Sequence, residues 1–147
     1  MRDVNHIPKF AALLHKQLEV GTEQLGRKTL AQIDHGFEAG TDAMGRPWEP
    51  LAPSTIAAKG HDQILIDTTE MRGSYEMAVD ANPIRGHYRL EISNPTEYAA
   101  YHEFGVPDRG LPKRPTLVPA GEWAVKEATE GVLGDALDAA IASSIVF

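Results

Sequence analysis

The segment at residues 98–105 contains the side chains of this chain that come nearest to an acid–base site. It places His102 and Glu103 next to each other, flanked by Tyr98, Tyr101 and Phe104. A histidine beside a carboxylate can act as a general acid or base when the pair faces a substrate cleft. An enzyme that uses His102 and Glu103 is therefore one hypothesis, and an open cleft around the pair would favour it. The alternative is a partly buried histidine that only makes hydrogen bonds.

Other patterns of catalysis and metal binding are missing from the sequence. No two of the six histidines are four residues apart, and position 106, four after His102, is a valine. No serine lies in a glycine-framed turn, no glycine-rich loop leads into Lys-Ser or Lys-Thr, and there is no cysteine. We therefore expect no catalytic residue, no metal site and no cofactor.

A basic loop follows this segment. It contains Arg109, Lys113 and Arg114 among prolines at positions 107, 112 and 115, in a chain whose formal net charge is −7. Because prolines limit the freedom of a loop, they lower the entropy that is lost when the loop docks. Three interpretations are open: a solvated loop, arginines that cap helix carbonyls, or electrostatic docking to an acidic neighbour such as another copy of the chain.

Length and composition favour one domain over residues 1–147. The hydrophobic fraction of 42% and the charged fraction of 24% are ordinary for a soluble globular protein. No segment approaches the roughly 18 consecutive apolar residues of a membrane span, so we expect no membrane partner. The acidic balance argues against a protein that coats nucleic acid, because phosphate binding needs a basic face.

Two long helices are predicted near the ends of the chain. Apolar residues recur from Ile7 onward at spacings of three, four and seven, which predicts a helix of about 28 residues that can kink at Gly21 and Gly26. This helix covers the core, and in an alternative interpretation it also lines a subunit interface. An alanine-rich stripe from Pro119 to Ser144 predicts the second helix, weakened near Gly131 and Gly134.

The middle of the chain predicts a small sheet and long loops. Period-two alternation on both sides of residues 82–86 predicts an antiparallel hairpin over residues 75–93. Glycines and prolines break up residues 38–60 and 105–116, which we expect to be extended loops. Trp48, in the first loop, either plugs the edge of the core or anchors a partner. The predicted fold class is α+β, with two long helices packed on a small antiparallel sheet.

Three shorter helical segments are predicted from capping residues. Ser54 is expected to be the N-cap of a helix that ends at Gly60. Residues 69–75 are expected to form a helical turn. Asn94 is expected to be the N-cap of a further helix that ends at Gly105.

The order of the motifs resembles that of the phage virion-morphogenesis proteins, the tail-completion or neck proteins of Mu-like and related tailed phages. Residues 45–51 (Gly-Arg-Pro-Trp-Glu-Pro-Leu), followed by Thr55 and Lys59, are similar to a G-x-x-W-x-P-L … T … K signature. Residues 64–74 are similar to an L-x-x-T-G-x-L-x-x-S element, although threonine replaces its glycine and methionine its second leucine.

The third motif carries the closest similarity. Residues 98–105 and 111–115 match a Y-A-x-x-H-x-F-G … I-P-x-R-P block, with Leu111 at the isoleucine position. After this block, Thr116 and Leu117 replace the more frequent Phe-Leu of the family. The resemblance covers residues 5–140, almost the entire chain. Each motif is loose by itself, but three in the right order are fairly specific.

This resemblance implies a non-enzymatic structural protein at the head–tail junction of a tailed bacteriophage, with a tail-terminator-like or tail-completion-like fold. It also implies a ring of subunits, six by analogy, with other neck and tail proteins as partners and with DNA passing nearby without specific binding. The expected location is the virion, after assembly in the host cytoplasm. Alternatives are a tail terminator or head–tail connector with the same fold, or a small binding or regulatory module unrelated to virions.

We expect the contact between subunits to be built by the helix at 98–104 and the basic loop, with Trp48 anchoring the long loop. The predicted interface residues are Trp48, Tyr98, Tyr101, His102, Phe104, Arg109, Lys113 and Arg114.

Overall fold

One long N-terminal helix supports the rest of the fold. In a computed structural model, which describes residues 7–65 and 69–144, this helix is α1 (Ile7–Ala39) and is 33 residues long. It continues through Gly21 and Gly26 without a break and is longer than the predicted helix of about 28 residues. Gly26 is buried where α1 meets the hairpin, and a Cβ there would lie 2.8 Å from both Leu90 Cδ1 and Met77 Sδ. The glycine therefore allows helix and sheet to approach closely.

The sheet is the predicted hairpin, formed by β1 (Glu76–Asn82) and β2 (His87–Ser93). The strands are antiparallel, and their register places Val79 opposite Leu90. Burial alternates along both strands, so one face carries partly buried, mostly apolar side chains and the other carries exposed side chains that are polar apart from Ala78. Because α1 packs against both strands, the apolar face is covered by α1.

Shorter helices connect these elements. They are α2 (Pro53–Lys59), α3 (Glu70–Gly73), α4 (Ala99–Phe104) and a 3₁₀ turn at Pro107–Arg109. The second long helix is divided into α5 (Leu117–Glu127) and α6 (Leu133–Ser144) by a π-helical turn, Ala128–Val132, which contains Gly131. This is where the sequence predicts a weakened helix. Both α5 and α6 pack on α1.

Two predicted helix starts are wrong. The N-cap of α2 is Ala52, not Ser54, because Pro53 takes the first helical position, which needs no N–H donor. α4 begins only at Ala99, with Tyr98 in place of Asn94 as its N-cap residue, because the backbone of residues 94–96 is not helical. Asn94 instead holds the turn before α4: its Oδ1 accepts from the backbone N of Thr96, and its Nδ2 donates to the carbonyl of Met71 at 2.8 Å.

The core lies where the C-terminal half of α1 meets the loops and short helices. Phe37 is at its centre, with its ring 5.6 Å from that of Trp48 in an edge-on arrangement and 6.0 Å from that of Tyr75. Met71 and Ala120 are buried in the same cluster. The α+β fold class is therefore confirmed, with the long helix packed against a two-stranded antiparallel sheet. Residues 66–68 of the middle motif (residues 64–74) lie outside the described residues.

Among the described residues, no helix combines the length and the apolar character that crossing a membrane requires.

Candidate functional site

Two buried side chains bind the long loop after α1 to the basic loop after α4. Trp48 donates from Nε1 to the carbonyl of Pro115 at 3.0 Å. Arg114 donates from Nε to the carbonyl of Glu49 at 2.9 Å and from Nη2 to that of Pro50 at 3.1 Å. Only 6% of Trp48 and 4% of Arg114 is exposed. The two loops therefore form one rigid unit.

Burial gives Arg114 a role inside the chain. Removal from water lowers the pKa of its guanidinium, and the charge of Glu49 acts in the opposite direction. The exposed positive charge of the loop therefore comes from Arg109 and Lys113, not from Arg114. A direct contact of Trp48 or Arg114 with another subunit would require the side chain to leave these hydrogen bonds. Arg114 also does not cap a helix, because the carbonyls of Glu49 and Pro50 that it binds belong to a loop.

Glu103 caps the N-terminus of α5. Its Oε2 accepts from the backbone N of Thr116 at 2.7 Å and of Leu117 at 3.0 Å, and its Oε1 accepts from the backbone N of Val118 at 2.8 Å. The side chain is buried, with the residue 8% exposed. A carboxylate is favoured at a helix N-terminus because the free N–H groups and the helix dipole attract negative charge. Glu103 therefore holds α4 against α5, and both of its oxygens are occupied.

A hydroxyl relay connects this cap to the hairpin. Thr116 Oγ1 donates to Glu103 Oε2 at 3.3 Å and accepts from the hydroxyl of Tyr75 at 2.7 Å. Burial raises the pKa of Tyr75 to about 12, so its hydroxyl stays protonated as a donor. The start of the hairpin, α4 and α5 therefore meet at one buried polar network.

His102 lies on a cleft of about 410 Å³, whose walls come from α2, α3, α4 and the basic loop. Burial, followed by the positive charges of Arg114 and Lys59, lowers the pKa of His102 below its ordinary value. Its Nδ1 is buried and has no hydrogen-bond partner among the described residues. The Tyr98 ring stands edge-on to it at 6.3 Å. His102 is thus a mostly neutral, half-buried residue beside a Glu103 whose oxygens face away into the α5 cap.

The outer surface of α4 carries exposed aromatic side chains. Tyr101 is 51% exposed and Phe104 is 67% exposed. They are three residues apart, so they share one face of the helix. Tyr98 is turned inward by comparison, and its hydroxyl donates to Glu70 Oε2 at 3.1 Å. Together with the exposed cations Arg109 and Lys113, Tyr101 and Phe104 form what we call the α4 surface.

The loop that carries these cations is closed by its own backbone. Val106 N donates to the carbonyl of Leu111 at 2.9 Å, and Leu111 N donates to that of Val106 at 3.1 Å. Gly105, at φ 72°, makes the turn into this loop, and a Cβ there would lie 3.0 Å from Lys113 Cγ and 3.1 Å from the Leu111 carbonyl oxygen. The stiffness predicted from the prolines thus also has a hydrogen-bonded basis.

Within residues 7–65 and 69–144, no three His, Asp or Glu side chains come together in a group that could hold a metal ion.

Comparison with known proteins agrees with this arrangement of motifs. The model of a family described as the phage virion morphogenesis family matches residues 8–141. The chain belongs to the phage virion morphogenesis family. This confirms the resemblance, and it supports a structural role in making a phage particle. No curated protein and no solved structure matches the chain.

The structure shows why the motifs of this virion morphogenesis protein occur together. The first and third motifs bind each other through Trp48 and Arg114. The middle motif supplies Met71, which is buried in the core and bound through its carbonyl by Asn94. Sequence reasoning found Trp48, His102 and Arg114 as special residues, although the structure buries the first and last. It missed Glu103 as a helix cap, because the groups that it caps are 13 to 15 residues away.

Proposed function

We propose that this chain is a non-enzymatic structural protein of the head–tail junction of a tailed phage, acting in tail completion as a ring of subunits. Family membership supports the virion role. The location at the junction, the ring and the neighbouring neck and tail proteins as partners are proposed beyond that virion role.

The observation that carries the proposal is the α4 surface. It exposes two aromatic side chains on α4 and two cations on the loop that follows, and Gly105, the Val106–Leu111 pairing and the Glu103 cap hold their backbone in place. Exposed aromatic residues on a rigid support are typical of binding hot spots, because little entropy is lost when they dock. The cations supply electrostatic complementarity to an otherwise acidic chain.

The preferred partner of this surface is a second copy. A chain of net charge −7 presents acidic surface to a neighbour, so a basic patch on one subunit can meet an acidic patch on the next. Such a head-to-tail contact is heterologous, and it closes into a ring when the rotation between subunits allows it. An acidic ring would also repel the DNA that passes through it, which prevents adhesion.

The geometry of His102 and Glu103 speaks against the catalytic hypothesis. Glu103 uses both oxygens to hold α5, so it is not available to transfer protons at the His102 cleft. Among the described residues, the buried Nδ1 of His102 has no hydrogen-bond partner that would orient the ring as a general base.

A charge-and-contact variant tests the ring. Phe104→Ser combined with Lys113→Glu should keep the fold, because both side chains are exposed, but should abolish ring formation and phage production. The matched control is Ile84→Ser with Lys126→Glu, since Ile84 is 96% exposed at the hairpin turn and Lys126 is an exposed lysine of α5.

The assay is light scattering of purified protein, together with plaque counts when each variant complements a phage that lacks the gene. We predict that Phe104→Ser/Lys113→Glu loses both ring formation and plaques, and that the control variant keeps both. Wild-type assembly and plaque counts with Phe104→Ser/Lys113→Glu would contradict the assignment of the α4 surface.

A further inference from the structure

The cleft beside His102 is separate from the α4 surface, because none of the four residues of that surface lines it. Its volume of about 410 Å³ lies toward the lower end of the range of small-ligand pockets. Much of its wall is apolar, formed by Leu51, Leu65, Met71 and Leu111. The proposed ring contact leaves this cleft without a role.

The three sequence motifs meet at this cleft. Its lining includes motif residues from each of them, and these are Thr55 and Lys59 of the first motif, Met71 of the middle motif, and Tyr98, His102 and Arg114 of the third. The core uses Met71, and the hydrogen bonds between the two loops use Arg114.

Lys59 and His102 have no comparable contact inside the chain. Within the part of the chain that the structure describes, the Lys59 ammonium makes no ion pair, and the buried Nδ1 of His102 has no hydrogen-bond partner. Both residues are half-buried, so their polar groups have already lost part of their hydration. The two side chains are therefore available to a ligand.

The charges at the cleft favour an anion. The pKa of His102 is lowered by burial and then by the positive charges of Arg114 and Lys59, so both cations act on the ring. Glu70 is the one acidic residue among the described residues that line the cleft, and its Oε2 accepts from the hydroxyl of Tyr98 at 3.1 Å. Because the field at the ring is positive, a negative group would be stabilised there.

We infer that this cleft binds a single carboxylate that is carried on an apolar group. The carboxylate would pair with the Lys59 ammonium and accept a hydrogen bond from the His102 ring, and the apolar part would pack against Leu51 and Leu111. Bound in this way, one acceptor group satisfies both side chains that the fold leaves without a partner.

A phosphate dianion fits the same cleft less well. Arg114 already donates from Nε and Nη2 to the carbonyls of Glu49 and Pro50, so it does not offer its full guanidinium fork to a ligand. Lys59 supplies a single positive charge, and the carboxylate of Glu70 would repel a second negative charge. The apolar walls also give phosphate nothing to bind.

Two sources can supply such a group, a small organic acid or an acidic side chain between apolar residues of a neighbouring protein. Isocaproate is the probe for the first source, and an acetylated and amidated Leu-Glu-Leu tripeptide is the probe for the second. Isocaproamide and the corresponding Leu-Gln-Leu tripeptide are the matched neutral probes, and inorganic phosphate is the competing anion.

Binding to the purified full-length chain is measured by NMR titration. We expect a carboxylate probe to shift the resonances of the His102 ring, of Lys59 and of α3, and its neutral counterpart to bind about tenfold or more weakly, because it cannot form the charge-assisted bonds. The carboxylate that binds more tightly identifies the source of the ligand, and binding of either one supports the inference.

A lysine variant tests the site itself. Lys59→Met keeps most of the aliphatic chain but removes the charge, so it should weaken binding of the carboxylate by about tenfold. Lys126→Met, the same change at an exposed position of α5, should bind as the wild type does.

The pH dependence of binding tests the part of His102. A bound anion favours the protonated ring, so affinity should rise as the pH falls from about 8 to about 6, and the ring should titrate at a higher pH when the ligand is bound. His102→Gln should remove this pH dependence.

Four results would overturn the inference. They are no binding of either carboxylate, neutral probes that bind as tightly as the charged ones, tighter binding of phosphate than of the carboxylates, and Lys59→Met that binds like the wild type. The inference goes beyond the proposed ring and does not depend on it. None of these results bears on whether Phe104→Ser/Lys113→Glu disrupts the ring.

Discussion

Replacing Glu103 with glutamine should destabilise the protein far more than the loss of one surface charge would. The carboxylate accepts three backbone N–H bonds, at 2.7, 3.0 and 2.8 Å, from the first residues of α5 and the residue before it. Glutamine keeps the shape of the side chain, but it turns one acceptor into an NH₂ donor. That donor would point at a backbone N–H, so both the new NH₂ group and this backbone N–H would be buried without an acceptor.

The size of the effect follows from these bonds. A hydrogen bond to a charged group contributes about 1.5–3 kcal/mol, and loss of a helix cap costs about 0.5–2 kcal/mol. Because one oxygen of the glutamine can still accept, the combined contribution of these hydrogen bonds and of the helix cap will not be lost completely. We expect the free energy of unfolding to fall by about 3 kcal/mol, which for a domain of this size lowers Tm by roughly 6–12 °C.

The assay is equilibrium unfolding in urea, with the midpoint and the slope of the transition both recorded. The matched control is Glu97→Gln, the same substitution at an exposed position just before α4, which should change stability by less than about 0.5 kcal/mol. If Glu103→Gln were as mild as Glu97→Gln, Glu103 would not be the residue that holds α5 in place.

Three further predictions concern Arg114, His102 and Gly26. Arg114→Met should lower the free energy of unfolding in urea by about 2–4 kcal/mol, since it leaves two loop carbonyls without their donor. Arg109→Met, at an exposed position, should leave it nearly unchanged. Equal effects of the two substitutions would contradict the buried role of Arg114. The pKa of His102 is lowered in the folded state, so the unfolded state binds the proton first as the pH falls. The stability of the fold should therefore decrease as the pH drops below about 6.5 and level off below the folded-state pKa. His102→Gln should flatten this pH profile when it is measured by thermal unfolding. An unchanged profile would show that His102 is not the group that titrates. Gly26→Val should cost about 1–3 kcal/mol in urea unfolding by forcing Leu90 and Met77 away from α1, and a stability equal to the wild type would mean that helix and sheet do not meet there.

The elements with strong periodicity could be predicted from the sequence. The apolar spacing of α1 and the period-two alternation of the hairpin each depend on local order, and both predictions are confirmed. The break near Gly131 was also visible, because a glycine weakens a helix wherever its neighbours pack. Prediction failed at Ser54 and Asn94, where proline geometry and a distant carbonyl decide which residue becomes the cap.

The candidate site could be predicted only in part. The aromatic and basic residues of the α4 surface stand close together in the sequence, and the structure leaves them exposed, while their role as an interface stays a prediction. The burial of Trp48 and Arg114 could not be read from composition, since it depends on carbonyls 64 to 67 residues away. Glu103 was missed for the same reason, and a carboxylate beside a histidine looks alike whether it serves a substrate or a helix N-terminus.

The most direct test of the proposed role is electron microscopy of particles made by a phage that lacks this gene product. We predict DNA-filled heads and separate tails of normal length, which join into complete virions when the wild-type protein is supplied. Complete, infectious particles in its absence would contradict the account, and tails of uncontrolled length would point to termination instead of completion.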